Sequence, residues 1–257
     1  MMKFIPKAKT HTPSGMMEYA QSIKEGPAVI LINGGSGPIE GWYKIFHELA
    51  ETATVVAYNR LGVGGSDKPS TPQHGETIVT ALRQLLAEMS IRPPYILVGH
   101  SLGGLYANLF ARQFRDEIAG VVLLDSSHPQ DLGINETQNP FIKRINRILG
   151  MFDSFSLGRK WSEVNFVEET VAQIEKAGSF PDIPLVVVSG GKKPPMMPEH
   201  VMEIRANNQL DFVRLSKQGQ HIIAHRSGHF PQLTEPDIVI RAVLDCIQMA
   251  RKNLLRE

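Results

Sequence analysis

Ser101, with a glycine two residues before it and another two residues after it, is the residue of this chain that could act as a nucleophile. Ser101 lies in the sequence Gly99-His100-Ser101-Leu102-Gly103, which is a G-x-S-x-G pattern. A serine hydroxyl is a poor nucleophile at neutral pH and needs a base within hydrogen-bonding distance. The chemistry that this pattern favours is attack of the Ser101 hydroxyl on a carbonyl carbon, with a histidine as the base.

The local sequence predicts a strand, a sharp turn and a helix around Ser101. The apolar run Tyr95–Val98 is typical of a buried strand, and apolar residues at helical spacing follow from Leu105 to Ala111. A turn this sharp strains the backbone of its central residue, so the neighbouring residues must lack bulk. Gly99 and Gly103 meet this need, because a Cβ at either position would collide with the crossing strand or helix.

Strands alternate with helices along most of the chain. The predicted strands are residues 16–23, 28–32, 54–58, 95–98, 118–124, 185–188 and 221–224, and helical spacing recurs at 78–89, 198–215 and 237–254. This alternation predicts an α/β fold, with a mostly parallel central sheet and helices on both faces. Residues 126–181 show helical patches but no convincing strand. We therefore expect a core of residues 1–125 and 182–257 and a helical cap, or lid, inserted at 126–181.

The strand, turn and helix resemble the nucleophile elbow of the α/β-hydrolase superfamily. Two further stretches add to the resemblance. Residues 33–37 (NGGSG) are similar to the family's His-Gly-Gly loop, with Asn33 in place of the usual histidine. Residues 59–67 (NRLGVGGSD) are similar to an Arg-x-Gly-x-Gly-x-Ser-Asp turn of the family, with Asn59 where aspartate is usual. The similar segments cover about residues 27–125 and 184–250, and they imply the α/β-hydrolase fold.

The resemblance implies a catalytic triad in the chain order serine, acid, histidine. Nine histidines are present, and His229 lies in a Ser-Gly-His-Phe loop after the last predicted strand, where the family's base belongs. Two strand ends supply the acid in this superfamily. The loop after Leu185–Val188 carries no carboxylate, whereas Asp125 ends a buried strand, where an unpartnered carboxylate would be costly. Asp125 is the predicted acid, with Glu199 and Asp211 as alternatives.

Acyl transfer also needs hydrogen-bond donors for the negative charge that develops on the carbonyl oxygen. The resemblance implies an oxyanion hole formed by the backbone N–H groups of Gly35 and Leu102. The alternative, that the loop around Gly35 binds a phosphate, is disfavoured because the loop lacks both the lysine and Ser/Thr arrangement of a P-loop and the spacing of a dinucleotide-binding fingerprint. No cofactor and no metal is implied.

The composition excludes several classes of protein. The chain has 257 residues, with 27 basic and 26 acidic side chains and a net charge of +1, so neither a nucleic acid nor an anionic membrane is indicated as a partner. The single cysteine, Cys246, excludes an intramolecular disulfide. Residues 1–10 lack the apolar core of a signal peptide, and no run is long enough to span a bilayer. We expect a cytoplasmic protein with a small-molecule substrate; the sequence leaves its oligomeric state open.

The leading functional interpretation is a serine hydrolase that cleaves an ester, thioester, amide or lactone of a small, apolar substrate through an acyl-enzyme. Haloalkane dehalogenases and epoxide hydrolases carry a carboxylate at the elbow, so Ser101 argues against both. A cofactor-free perhydrolase, a hydroxynitrile lyase-like enzyme and a ligand sensor of low turnover stay open on the same fold. Aromatic and apolar residues of the insertion predict an apolar lid: Phe141, Ile145, Leu149, Phe152, Phe155 and Trp161.

Overall fold

Eight strands form one sheet in the computed structural model, which describes residues 4–131, 159–193 and 197–255. The strands are β1 (Ala8–Thr12), β2 (Gly15–Ser22), β3 (Ala28–Ile32), β4 (Val55–Tyr58), β5 (Tyr95–His100), β6 (Ile118–Leu124), β7 (Leu185–Gly190) and β8 (Gly219–Ala224). Their order is β1-β2-β4-β3-β5-β6-β7-β8. Strand β2 runs antiparallel to both of its neighbours, and every other pair is parallel. The predicted fold class is confirmed.

The described residues form seven α-helices and four short 3-10 helices. The α-helices are α1 (Phe46–Leu49), α2 (Gly75–Glu88), α3 (Gly103–Gln113), α4 (Val167–Lys176), α5 (Glu199–Val213), α6 (Pro231–Thr234) and α7 (Pro236–Leu254). The 3-10 helices are Ile39–Trp42, Arg115–Glu117, Arg159–Trp161 and Glu163–Phe166. Among these residues, no helix combines the length and the apolar character that crossing a membrane requires.

Helices cover both faces of the sheet because successive side chains of a strand point to opposite faces. All five residues of β3 are buried. Ile30 belongs to an apolar cluster with Leu82 of α2 and Leu105 of α3. Its neighbour Leu31 belongs to a second cluster, with Val243 of α7. The sheet is therefore a buried middle layer, as its continuous apolar strands predict.

The N-terminal strand β1 was not among the predicted strands. Its sequence, AKTHT, is mostly exposed, and β1 pairs only with β2 at the edge of the sheet. An edge strand buries little apolar surface, so it lacks the apolar run by which the other strands were recognised.

The region predicted to be a cap is described at residues 126–131 and 159–181. The predicted helical patch at 164–174 corresponds to a 3-10 helix and to α4, which packs against α2. The Thr170 hydroxyl and the Gln173 side chain accept hydrogen bonds from the first two N–H groups of α2, at 2.8 and 3.0 Å. The patch at 141–149 and every predicted lid residue except Trp161 lie outside the described residues. The division into core and cap stays a prediction.

Candidate active site

The turn between β5 and α3 holds Ser101 in a strained backbone conformation. Its φ is 51°, in the left-handed region that residues other than glycine seldom adopt. A Cβ added at Gly99 would lie 2.7 Å from the carbonyl oxygen of Gly103, and a Cβ at Gly103 would overlap that of Ile32 on the neighbouring strand. The prediction that both positions require glycine is confirmed.

Three side chains that follow three different strands meet at this turn. The hydroxyl of Ser101 donates to Nε2 of His229 at 3.0 Å, and Nδ1–H of His229 donates to Oδ2 of Asp125 at 2.7 Å. Ser101 and Asp125 are buried, whereas the His229 side chain is 20% exposed and so can be reached from outside. The structure brings the three predicted residues together in the order nucleophile, base, acid.

The two alternative acids lie elsewhere. Asp211 pairs with Arg214 on the same helix at 2.6 Å, and both side chains are well exposed. Glu199 is exposed at the first turn of α5. Asp125 is therefore the carboxylate that the fold places against the His229 ring.

The Asp125 carboxylate has three partners that favour its charged form. Burial opposes ionisation, but the guanidinium of Arg205 at 2.8 Å and the hydrogen bond from His229 outweigh it, and the backbone N–H of Gly190 adds a contact at 3.2 Å. Together they hold the pKa of Asp125 well below its usual range. An ionised Asp125 accepts from Nδ1–H, which leaves Nε2 of His229 free to accept the serine proton.

His100 packs beside the turn. Its Nε2–H donates to the backbone carbonyl of His229 at 2.7 Å. Burial lowers the pKa of His100 to about 3, with the nearby His229 acting in the same direction. His100 is therefore neutral at pH 7 and fixes the position of the His229 backbone.

The two predicted oxyanion donors have free N–H groups. Within the described residues, neither the N–H of Gly35 nor that of Leu102 donates a hydrogen bond to the protein. Leu102 immediately precedes α3, so the positive end of the helix dipole adds to the field at this point. Both N–H groups are free to donate hydrogen bonds to a negatively charged oxygen beside Ser101.

The loop that carries Gly35 is held by Arg60, which follows β4. Nη1 of Arg60 donates to the carbonyl oxygen of Asn33 at 2.9 Å, and Nη2 donates to that of Gly34. In a trans peptide the C=O of one residue and the N–H of the next point in opposite directions. Because Arg60 holds the Gly34 carbonyl, the N–H of Gly35 points away from Arg60. The guanidinium thus fixes the direction of the predicted donor.

Arg60 is paired in turn with Glu163, a residue of the predicted cap. Nε and Nη2 of Arg60 both donate to the carboxylate, the latter at 2.8 Å. The carboxylate also accepts from the backbone N–H of Ser36 at 2.6 Å and from the Tyr106 hydroxyl at 3.2 Å. Arg60, Tyr106 and Glu163 are all buried. A residue far along the chain therefore completes the support of the loop that carries Gly35.

Sequence reasoning missed Glu163 and Arg205. Glu163 lies in the insertion, where no motif was recognised, and Arg205 is one of several charged residues on the polar helix α5. Arg60 does carry a signal, since it lies in the family-like turn at 59–67. The missing information is a contact between distant segments rather than a local pattern.

A cavity of about 200 Å³ opens beside Ser101 and His229. Its lining is mostly apolar and consists of Asn33, Gly34, Gly35, Gly37, Pro38, Glu40, Gly41, His100, Ser101, His229, Phe230, Gln232 and Leu233.

Among the described residues, no group of three or more His, Cys, Asp or Glu side chains is placed to hold a metal ion.

The sequence of residues 27–156 matches the family model for the alpha/beta hydrolase fold, and the chain belongs to this family. YqjL of Bacillus subtilis is 24% identical over 246 residues, which cover 95% of this chain and 93% of YqjL. A Schizosaccharomyces pombe protein is 26% identical over 180 residues, or 56% of this chain, and the match spans only 32% of that longer protein.

Solved structures share the fold over nearly the whole chain. A thermophilic esterase from Thermogutta terrifontis superposes with a TM-score of 0.66 at 20% identity, covering 95% of this chain and 99% of the esterase. The enol-lactonase from Burkholderia xenovorans gives a TM-score of 0.65 at 16% identity, covering 94% and 100%. At these identities the likeness shows the fold alone.

Proposed function

We propose that this protein is a serine hydrolase that cleaves an ester, thioester, amide or lactone of a small, apolar substrate through an acyl-enzyme on Ser101. The observation that carries the proposal is the hydrogen-bonded series Ser101, His229 and Asp125, which opens on an apolar cavity. The fold that the chain shares with an esterase and an enol-lactonase supports the same reaction class.

The reaction begins when Oγ of Ser101 attacks the carbonyl carbon and Nε2 of His229 takes the hydroxyl proton. The oxygen of the tetrahedral intermediate accepts from the N–H groups of Gly35 and Leu102. Asp125 stabilises the imidazolium, which then gives its proton to the leaving group. Water, activated by His229, attacks the acyl-enzyme in the second half-reaction, and the proton returns to Ser101.

The test is covalent labelling with a fluorophosphonate, followed by peptide mass spectrometry and kinetics on 4-nitrophenyl esters of increasing acyl length. The label is expected on Ser101, with a burst of one nitrophenolate per active site. Ser101→Ala should abolish labelling and lower kcat by about 10⁴-fold or more. Ser179→Ala, whose hydroxyl contacts Arg115 at an exposed position, is the control that keeps both.

Ester hydrolysis by Ser101→Ala at the parent rate, or a label on another residue, would rule out this mechanism. Slow labelling without turnover, together with a ligand-induced rise in melting temperature, would instead identify a sensor on this fold.

A further inference from the structure

Gln232 has a buried side chain with no partner, in the wall of the cavity that Ser101 and His229 line. The residue is 1% exposed, and Oε1 has no hydrogen-bond partner among the described residues. No interaction with those residues is found for its Nε2 either. Buried amide groups in folded proteins are nearly always hydrogen-bonded, because leaving one unpaired destabilises the fold. The unpaired amide of Gln232 therefore calls for a partner that enters the cavity.

A second buried glutamine shows that Gln232 is unusual for its place in the site. Gln209 on α5 also has an unpartnered Oε1, but its Nε2 donates to the carbonyl oxygen of Ser126 at 2.9 Å, and it does not line the cavity. Among the described residues, neither amide atom of Gln232 has a partner, and Gln232 lines the cavity beside Ser101. Among the described residues, the protein supplies a hydrogen-bond partner to the amide of Gln209 and none to the amide of Gln232.

We infer that the amide of Gln232 binds a neutral hydrogen-bonding group of the substrate, a carbonyl, amide or hydroxyl a few bonds from the carbonyl that Ser101 attacks. The inference rests on the proposed function and narrows its substrate class. A primary amide both donates and accepts, so it suits a neutral partner. Glu40 also lines the cavity, but it is exposed and already paired with Lys7 at 2.8 Å. It therefore does not call for a charged group on the substrate.

The chain keeps the Gln232 amide within a few bonds' reach of the carbonyl that Ser101 attacks. Gln232 is three residues after His229, so their Cα atoms lie within about 11 Å of each other. The cavity, at about 200 Å³, is smaller than the roughly 300–1,000 Å³ of sites for drug-sized ligands. The lining of the same cavity is mostly apolar and includes Pro38, Phe230 and Leu233. The group that fits is therefore a short apolar stem that carries one polar function.

Two sets of isosteric esters test the inference. The acyl set consists of the 4-nitrophenyl esters of pentanoate, 4-oxopentanoate and N-acetylglycine, whose acyl chains have the same length. The pentanoate chain carries no polar group, the 4-oxopentanoate chain carries an acceptor, and the N-acetylglycine chain carries a donor and an acceptor. The alcohol set consists of pentyl acetate and the acetate ester of N-acetylethanolamine, followed by pH-stat. The set that responds identifies the part of the substrate that fills the cavity.

The variant is Gln232→Met, which keeps the length of the side chain and removes its hydrogen bonds. For each set, kcat/KM for the polar ester is divided by kcat/KM for the apolar ester. In one of the two sets this ratio should be about 10-fold or more lower in the variant than in the parent. The rate on the apolar ester should stay within about twofold. The melting temperature of the free protein should stay level or rise, because an unpaired buried amide is replaced by an apolar group.

Gln209→Met is the matched control, a buried glutamine outside the cavity. It should lower the melting temperature, since it loses the bond to Ser126, and should change all five esters by the same factor. An unchanged polar-to-apolar ratio in both sets for Gln232→Met overturns the inference, as does a fall in its melting temperature with equal loss on every ester.

The two proposals fail in different ways. Turnover or labelling that does not depend on Ser101 defeats the proposed function and the subsite with it. Activity that depends on Ser101 but is indifferent to Gln232 defeats the subsite alone. If every ester is turned over too slowly to measure, the labelling rates of Ser101 by 4-nitrophenyl phosphonates with the same chains give the same ratio.

Discussion

Two pairs of an arginine and a carboxylate lie near Ser101, one buried and one partly buried, and they differ in what the carboxylate holds. Asp125 accepts from Arg205 and from the His229 ring, which moves the proton in the proposed mechanism. Glu163 accepts from Arg60 and from the backbone of the loop that carries Gly35, which is the proposed donor to the carbonyl oxygen. One pair favours the charged form of the proposed acid, and the other holds the direction of a peptide group.

The comparison shows why buried charges can be retained where they add little stability. Bringing an ion pair out of water costs about as much as the attraction returns, so such pairs often stabilise no more than apolar residues of similar size. Arg60 is 3% exposed and makes hydrogen bonds to Glu163 and to two carbonyl groups. Arg205 is 17% exposed on its side chain. We therefore expect the Arg60 pair to control loop geometry and the Arg205 pair to control the electrostatics of Asp125.

The largest expected effect comes from Asp125→Asn. The amide cannot hold His229 in the tautomer that accepts from serine, so kcat should fall by about 10⁴-fold while KM changes little. Steady-state kinetics on a 4-nitrophenyl ester measures this. Glu199→Gln and Asp211→Asn are the controls, and a larger loss in either of them would transfer the role of acid to that residue.

The next effect is that of Glu163→Gln, which leaves the Arg60 guanidinium buried without its counter-ion. Breaking a buried pair in this way is expected to lower the free energy of unfolding by about 3–5 kcal/mol. The loop should also lose its direction, so kcat should fall by about 10²-fold, the size expected for one lost oxyanion donor. Urea denaturation and esterase kinetics measure the two quantities.

The double variant Arg60→Met/Glu163→Leu separates the effect on the free energy of unfolding from the effect on kcat. Replacing both ions by apolar residues should recover most of the free energy of unfolding. The value of kcat should stay low, because the Gly34 carbonyl then accepts from the N–H of Gly37 and no longer from the Arg60 guanidinium. Recovery of kcat together with stability would show that the pair has no part in positioning the oxyanion loop.

The smallest effect is expected from Arg205→Met. The depressed pKa of Asp125 contributes stability at pH values above the ordinary carboxylate value of about 4, and this contribution is lost as the pH falls through the lower folded value. Removal of Arg205 raises the pKa of Asp125 toward its usual range. The variant should therefore be less stable than the parent by about 2 kcal/mol at pH 7, and the difference should shrink below pH 4.

Arg214→Met on the same helix is the control for this prediction. Its pair with Asp211 is exposed, so its loss should change the free energy of unfolding by less than about 0.5 kcal/mol. Urea denaturation at pH 7, 5, 4 and 3 measures both variants. A difference for Arg205→Met that does not vary with pH would mean that Arg205 acts by packing alone.

The elements that position Ser101 could be predicted from sequence because their signals are local. The glycines of the turn and the apolar runs of β3, β5 and β6 each lie within a few residues of one another. Asp125 needed one further step, the identification of a strand end. Arg205 and Glu163 depend on contacts that join residues 80 and 103 positions apart, and a single sequence contains no pattern for these. Gln232 escaped for another reason, since a missing partner becomes visible only in a folded structure.

The contact between Glu163 and the Gly-rich loop limits how freely the segment predicted to be a cap could be exchanged in evolution or engineering. A segment grafted from a relative without an acidic side chain at this point would leave the Arg60 guanidinium buried without its counter-ion. Grafts that keep this glutamate, or that change Arg60 together with it, are the ones in which a new specificity can be added to a working core.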